Sequence, residues 1–507
     1  MSNRYLTKSK NLIKKILKDV NKLNSLVNEY TTIGKTPALP WRAFVNLADS
    51  LFLTGYFKES EELLNNAILF ASNSSDALVN LGAIKQSAGN IGEAIKFYID
   101  AVKKDSKNIK ALCLWGNCLS IEGKNNQAVA KYKQALKVEP KAADIYLSWG
   151  ILLLRQGKYT EAKEKLEFSV QYNLKDARSL YMLSVVEIEV GEYDEALEKL
   201  MFIIESTENN FEAYHNIAYI YFKKKDYDKA IAYAQQSLGI FQQKIETYLL
   251  LGDTFAILNK EEESLSFYEK AEQNDLKTFF LYLSWGTTLQ KFGRYEESIE
   301  KLNIATELLT KQVSDELYAR IAKSYYEIGD IDSAKVNISK ALEIREENLI
   351  ANETLADIYI KDNDYTSAIK VLNNCVKITE NKAQNLAKIA RCYSEISELK
   401  KSNEYYEKSL EYGESIDLRI EYIKSLYNQQ EYDKALRKLR TIEAQAGDDF
   451  GFLSLVFLVN YNIAKENLYI YNVEKAISVA EKIKEKYPED FSFASEYIEL
   501  TNILRNQ

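Results

Sequence analysis

Proline is scarce in this sequence, with four residues among 507. Because proline breaks the interior of a helix, this scarcity favours a chain built from many uninterrupted helices. Two of the four, Pro140 and Pro488, each follow a helix-like run. One compact core rarely organises a chain of this length, so we expect several domains or one structure that grows by repetition.

Histidine and cysteine are also scarce, which limits the chemistry available to the chain. His215 is the single histidine, and the four cysteines are Cys113, Cys118, Cys375 and Cys392. General acid–base catalysis at neutral pH most often uses histidine, and zinc sites need clustered cysteine and histidine ligands. These residues are scattered along the sequence, so we expect no enzyme activity, no metal site and no cofactor.

Long apolar runs and an excess of positive charge are missing as well. The longest apolar run, residues 450–460, is shorter than the roughly 18 residues that span a bilayer, and we predict a buried helix there. A net charge of -8 disfavours general nucleic-acid binding. Few cysteines and the absence of a secretion signal at the start favour a reducing compartment, so we expect a cytoplasmic location.

Residues 1–35 depart from this acidic balance, since they contain eight basic and two acidic residues. Apolar residues recur at spacings of three and four from Ile13 to Tyr30, which predicts a basic amphipathic helix. Two roles stay open for this helix. It either caps the end of the structure that follows, or contacts an anionic surface or another helix. A linker with two prolines occupies residues 36–40.

A repeat of 34 residues dominates the rest of the sequence. Residues 109–142 show it most clearly, with large, small and aromatic residues at fixed positions of two helical runs. These positions are Leu112, Trp115, Gly116 and Leu119 in the first run, Ala128, Tyr132 and Ala135 in the second, and Pro140 after it. The pattern resembles that of the tetratricopeptide repeat (TPR) family.

Twelve copies of the pattern extend over residues 41–449. Residues 450–507 contain a degenerate thirteenth copy and a last amphipathic helix that we expect to act as a cap. The register slips once, by two residues near Lys311–Ser314, which predicts either a local change of superhelical pitch or a longer loop. The resemblance implies an all-α fold, a right-handed superhelical α-solenoid of antiparallel helix pairs with a concave groove.

Two series of glycines have a structural explanation in such a fold. Where two helices cross closely, the contact needs a small residue beside large ones, and the glycine of Trp115-Gly116 occupies that position in its copy. A second series is expected to end the first helix of each pair in the left-handed conformation. Its members are Gly55, Gly89, Gly157, Gly191, Gly293 and Gly329.

The resemblance also indicates which residues face the groove. In the fifth and sixth copies these positions are apolar and aromatic, and they form our candidate partner-binding site: Arg178, Tyr181, Val185, Ile188, His215, Asn216, Tyr219 and Phe222. A secondary basic groove is predicted from Arg320, Lys323, Lys388, Arg391 and Lys424. The alternative is that the apolar residues only pack against neighbouring repeats and that the basic ones are solvated surface.

The residue pattern by which some TPR proteins clamp a C-terminal carboxylate is absent, with Lys110 and Asn117 as the nearest fragments. We therefore predict a non-catalytic scaffold or adaptor that binds a peptide or helix of partner proteins in its groove. The alternatives are a structural subunit of a larger intracellular assembly and a regulatory partner of an enzyme encoded elsewhere. The partner's identity is not encoded in any pattern of the sequence.

Overall fold

The computed structural model describes residues 75–207, 209–309, 314–413, 415–447, 449–467 and 469–505. These residues form helices and connecting turns, with no strand among them. The predicted helix of residues 1–35, the linker and the first repeat lie outside the described residues, as does the register slip except for Ser314.

The described helices are the following: α1 Ser75–Ser87, α2 Ile91–Lys104, α3 Ile109–Ile121, α4 Asn125–Val138, α5 Ala143–Arg155, α6 Tyr159–Tyr172, α7 Ala177–Val190, α8 Tyr193–Ser206, α9 Phe211–Lys223, α10 Tyr227–Ile240, α11 Ile245–Ile257, α12 Glu261–Gln273, α13 Phe279–Lys291, α14 Tyr295–Leu308, α15 Asp315–Glu327, α16 Ile331–Ile344, α17 Leu349–Lys361, α18 Tyr365–Ile378, α19 Ala383–Glu395, α20 Leu399–Tyr412, α21 Ile416–Asn428, α22 Tyr432–Ala446, α23 Phe450–Asn467, α24 Ile470–Lys486 and α25 Ala494–Arg505. A short 3₁₀ helix, Pro488–Asp490, precedes α25.

The chain divides into two compact units, residues 1–247 and residues 248–507, which we call unit 1 and unit 2. Within each unit, consecutive helices pair as hairpins, an odd-numbered first helix followed by an even-numbered second helix. Within each unit, successive hairpins pack on one another. This arrangement of paired helices is that of an α-solenoid, which confirms the predicted fold class.

The crossing glycines lie where the two helices of a hairpin meet. A Cβ on Gly116 would lie 2.5 Å from Cε1 of Tyr132, which is fully buried on the second helix. No side chain fits there unless the hairpin opens, so glycine permits the close approach. The same arrangement pairs Gly82 with Tyr98, Gly150 with Leu166, Gly252 with Tyr268 and Gly286 with Leu302.

The turn between the two helices of a hairpin contains a left-handed residue. The predicted glycines Gly89, Gly157, Gly191, Gly293 and Gly329 all have positive φ, which confirms them as helix-ending residues, and Gly55 lies outside the described residues. Other hairpins place a non-glycine residue there, namely Lys225, Asn259, Asn363, Ser397 and Gln430. The turn geometry is thus kept even where it costs an L-residue about 1 kcal/mol or more.

First helices contact first helices within a unit. In unit 1, α1, α3, α5, α7 and α9 each contact the next member of this series, whereas successive second helices make little or no contact among the described residues. We call the surface formed by these helices the first-helix face of unit 1. Stacked hairpins whose first helices approach while their second helices diverge curve toward the first helices.

The C-terminal end of unit 2 has a large apolar core. The run predicted to be a buried helix is part of α23, and its residues Phe452, Leu453 and Phe457 are buried. Helix α24 pairs with α23, and α25 covers α24 through the fully buried Leu500. In the described part of the chain, each helix is too short or too polar to cross a membrane.

Candidate functional site

The candidate partner-binding residues lie on two neighbouring first helices of unit 1. Helix α7 carries Arg178, Tyr181, Val185 and Ile188, and α9 carries His215, Asn216, Tyr219 and Phe222. Because α7 and α9 contact each other, the structure places the two sets side by side on the first-helix face. Arg178 is exposed, and the other seven are half-buried.

Tyr181 and Asn216 are joined across the two helices. The Asn216 side-chain amide donates a hydrogen bond of 3.3 Å to the Tyr181 hydroxyl. Tyr181 also packs against the apolar core of its hairpin, which includes Leu180 and Leu200. Burial raises the pKa of Tyr181 to about 12, so its hydroxyl is neutral at physiological pH. Tyr181 is therefore a fixed element of the surface with one partly exposed edge.

His215 is held by the next first helix along the chain. Its Nδ1 lies 2.9 Å from Oγ1 of the buried Thr247 in α11. Burial lowers the pKa of His215 to about 4, and the nearby positive charge of Lys244 acts in the same direction. The imidazole is consequently neutral at pH 7, and its role here is to anchor α9 to Thr247 at the end of unit 1. The sequence pattern did not indicate Thr247 as its partner.

The remaining aromatic and aliphatic residues expose apolar surface. Ile188 packs against the hairpin core, and Phe222 meets Tyr227 edge-on with ring centroids 6.1 Å apart. The Lys223 ammonium lies 5.1 Å from the centre of the Tyr219 ring. The ammonium is attracted to the face of the ring at this distance, and it adds a positive charge at the edge of the patch.

Arg178 is engaged by carboxylates. Its guanidinium lies 3.0 Å from Asp144, at the equivalent position of the preceding repeat, and 3.2 Å from Asp176. The Arg178 side chain is 69% exposed, so these ion pairs contribute little stability. Asp144 lies 34 residues before Arg178 along the sequence, and this spacing is the signal that identifies it as a neighbour.

The residues of the predicted basic groove lie on first helices of unit 2, and three of the five are paired. The pairs are Arg320 with Glu316, Lys388 with Asp357 and Arg391 with Glu421. Lys323 and Lys424 are exposed, with no carboxylate partner among the described residues. The surface therefore alternates in charge, because Asp357 and Glu421 come from first helices of the neighbouring repeats.

Within the described residues, no three histidine, cysteine or acidic side chains come together as metal ligands would. All four cysteines are buried as free thiols. Burial raises the pKa of Cys113 and of Cys392 to about 11, which keeps both thiols protonated at physiological pH. Cys375, at a position where other copies of the repeat carry alanine, is fully buried in its hairpin.

Three comparisons place the chain among known proteins. Models of the tetratricopeptide repeat match residues 147–201, 209–277, 315–348 and 351–382, and a TPR repeat model matches residues 116–157. A relative from Drosophila melanogaster, named BBSome complex member BBS4 homolog, is 25% identical over 175 residues. That alignment covers 34% of this chain and 31% of the relative, so the chain spans less than a third of the relative's length.

Two solved structures are among the chains that this protein resembles in part. The crystal structure of the APC/C hetero-tetramer Cut9–Hcn1 has a chain that is 11% identical, with 90% of this chain and 98% of that chain covered and a TM-score of 0.42. PilF of Pseudomonas aeruginosa is 19% identical, with coverage of 43% and 96% and a TM-score of 0.38. With the family models and the stacked helical hairpins, the chain belongs to the tetratricopeptide repeat superfamily and carries many tandem copies of the repeat.

Proposed function

We propose that the protein is a non-catalytic interaction scaffold, and that the first-helix face of unit 1 binds a peptide or a helix of a partner protein. The observation that carries the proposal is the patch of half-buried apolar side chains that α7 and α9 present together, which includes Val185, Ile188, Tyr219 and Phe222. Aromatic anchors of this kind dominate the binding energy of many protein interfaces.

Three polar side chains beside this patch are hydrogen-bonded within the protein. Asn216 donates to Tyr181, and His215 is bonded to Thr247. The bond from Asn216 to Tyr181 holds α7 and α9 in register before any partner arrives, and the bond to Thr247 fixes the His215 ring, so little conformational entropy is lost on binding. What the patch offers a partner is apolar area with one cation, Lys223, at its edge. This chemistry suits the apolar face of an amphipathic helix or an extended peptide.

Two observations support a non-catalytic role. The matching family models are all repeat families, and none of them describes an enzyme. His215, the single histidine, is neutral and held by Thr247 rather than by a carboxylate that would raise its basicity. We also propose a cytoplasmic location, since a chain with few cysteines, all held as buried thiols, suits a reducing compartment.

A structural subunit of a larger assembly is the second candidate. One observation favours it, since the Drosophila relative is named as a member of a complex. In that role the protein would be isolated from native extract as part of a stable complex, and surfaces other than the first-helix face would contribute to its contacts. The regulation of an enzyme encoded elsewhere is a special case of either role.

The test of the first candidate replaces two anchors, Tyr219→Ala together with Val185→Ala, in the full chain. Both residues are half-buried, so we expect the variant to fold and to lose partners that wild type retains in affinity purification followed by mass spectrometry. Tyr412→Ala, at a 54% exposed tyrosine of unit 2, is the matched control and should retain them. Unchanged partners in the Tyr219 and Val185 variant would refute the assignment of the patch. Size-exclusion chromatography of the same extracts distinguishes a stable assembly from a transient adaptor.

A further inference from the structure

A second surface of unit 1 has the features of a binding site, and it shares no residue with the partner-binding patch on α7 and α9. Helices α4 and α6, which are second helices, flank a cleft of about 420 Å³ whose floor is formed by α5. We call it the outer cleft. Its apolar lining consists of Trp149 and Leu153 on the floor and Val129 on the wall formed by α4. Lys133 lies on one rim, and Lys158 and Glu161 lie on the other. The volume falls within the range of roughly 300–1,000 Å³ that is usual for ligand pockets.

The cleft is open because α4 and α5 pack over few residues. The wall formed by α4 has small side chains there, and Ala130 is exposed in the cleft. No ion pair joins α4 to α5 or α6 in the part of the chain that the structure describes. One repeat later, the residues equivalent to Val129 and Leu153 are Lys163 and Glu187.

In that later repeat, ion pairs bridge the corresponding helices. Lys163 pairs with Glu192, and Glu187 pairs with Lys199 at 2.8 Å. The first pair ties α6 to the start of α8, and the second joins the two helices of the α7–α8 hairpin. The outer cleft lacks such bridges, so its apolar floor stays accessible.

Basic side chains outnumber acidic ones in the lining of the outer cleft, which contains Lys133, Lys158 and Glu161. Helix α4 contains Lys131, Lys133 and Lys137 and no acidic residue. Lys133 is exposed and has no carboxylate partner among the described residues, and its ammonium lies 5.8 Å from the centre of the Trp149 ring. On the opposite rim, the Lys158 side chain is 52% exposed and pairs with Glu161 at 3.9 Å. An exposed ion pair of this kind contributes little stability, so a carboxylate of a ligand can replace Glu161 at small cost.

Unit 2 contains a cleft of the same construction that serves as an internal comparison. It lies between α20 and α22, is floored by α21 and has a volume of about 440 Å³. Its charged lining is balanced, with Glu407 and Glu411 against Arg419 and Lys438. Lys438 lies 3.5 Å from Glu407, and the Tyr422 hydroxyl donates to that same carboxylate. The two clefts therefore have similar volumes and differ in the charge they offer to a ligand.

From these differences we propose that the outer cleft docks an acidic segment of another protein. One bulky apolar side chain of the segment inserts against Trp149 and Val129, and flanking carboxylates meet Lys133 and Lys158. Burial of the apolar side chain supplies affinity, and the two lysines supply the selection for acidic sequences. This site is independent of the partner-binding patch on α7 and α9 and shares with the proposed function only the premise that the protein binds other proteins.

The experiment selects random dodecapeptides displayed on phage against the full chain, with counter-selection on the Lys133→Glu/Lys158→Glu variant. We expect enriched peptides that share one large apolar residue flanked by aspartate or glutamate. A labelled peptide of that consensus should bind wild type, and its Kd should rise at least about tenfold, or about 1.4 kcal/mol, for the charge-reversed variant. Circular dichroism verifies that the variant is folded.

Two further variants separate charge from shape. Ala130→Phe fills the cleft without changing charge and should weaken the peptide as well. Lys175→Glu, at an exposed lysine outside the cleft, should leave its affinity unchanged. The Tyr219→Ala/Val185→Ala variant should also bind the peptide normally, so failure of the proposed groove and failure of this cleft are distinguishable.

Three results would overturn the proposal. The first is enrichment that survives on the charge-reversed variant, and the second is a consensus without acidic residues. The third is that vesicles containing phosphatidylserine bind wild type in a manner that depends on Lys133 and Lys158, while no peptide does. That last outcome would assign the lysines to a membrane surface.

Discussion

The ion pair between Glu187 and Lys199 gives the sharpest test of how the repeats are stabilised. Glu187 is 2% exposed, and its Oε1 lies 2.8 Å from the Lys199 ammonium. Its Oε2 has no hydrogen-bond partner among the described residues. Lys199 is thus the main compensation for a carboxylate buried between α7 and α8, and Lys199→Met removes it while keeping the length of the side chain.

The expected cost follows from the burial. Removing one partner of a buried ion pair typically destabilises a protein by about 3–5 kcal/mol, because the other charge is left without compensation. Burial raises the pKa of Glu187, and Lys199 opposes that rise. A carboxyl whose pKa is higher in the folded state loses stability as pH rises from the unfolded pKa through the folded one. Without Lys199 this window widens, so the variant should lose more stability at about pH 7.5 than at about pH 5.

The chain offers a matched control at the same position of another repeat. Lys131 lies 3.5 Å from the centre of the Trp115 ring and is not paired with a carboxylate among the described residues, so Lys131→Met should cost only about 0.5–1 kcal/mol. Repeats three and four carry Leu119 and Leu153 where repeat five has Glu187. The double variant Glu187→Leu/Lys199→Met should therefore recover most of the lost stability.

Urea unfolding followed by circular dichroism measures these differences, and hydrogen exchange localises them to α7 and α8. The reasoning is refuted if Lys199→Met costs no more than Lys131→Met. It is also refuted if the double variant is as unstable as Lys199→Met alone, because the loss would then come from packing rather than from the buried charge.

Three further predictions concern the hairpins and their junctions. Gly116→Ala should lower the free energy of unfolding, because overpacking against Tyr132 costs about 1–3 kcal/mol. This cost outweighs the gain in helix propensity, which is at most about 1 kcal/mol. A urea midpoint at or above that of wild type would contradict the prediction. Wild type should lose stability as pH falls from 6.5 toward about 4, because folding lowers the pKa of His215. In thermal melts, the His215→Asn variant should show a weaker dependence of stability on pH. If stability depends on pH equally in the variant and in wild type, this residue is not the cause. Asn348→Ala should lower the free energy of unfolding by about 1–2 kcal/mol, because Asn348 caps α17 and its side-chain amide also donates a hydrogen bond of 2.7 Å to Asp315 of the preceding repeat. Thermal melts measure this loss, and a change of less than about 0.3 kcal/mol would show that the cap is dispensable.

The architecture could be predicted from the sequence because its main constraints are local and recur. Gly116 and Tyr132 lie in one hairpin, and the same spacing of a small and a large residue appears in most copies. The left-handed turn was predictable only where glycine occupies it. At Lys225 and Gln430 the same turn forms without a residue that favours it, so single positions gave no signal there.

The surfaces were harder to predict, since they depend on contacts between repeats. The inner positions of α7 and α9 followed from the register, but the bond from His215 to Thr247 depends on how two helices rotate against each other. The pairing of Arg391 with Glu421 likewise joins residues of different repeats. The outer cleft gave no signal in the pattern, because it arises from the combined volumes of side chains on three helices.

The sparse packing between α4 and α5 also has a mechanical consequence. In a solenoid, stiffness is set by the interfaces between neighbouring repeats, and unit 1 is most compliant where such an interface is thinnest. A ligand side chain packed against Trp149 would fill the cleft and so reduce the movement of α4 relative to α5. Occupancy of one small cleft would then set the bend of unit 1, and with it the spacing of the side chains along the first-helix face.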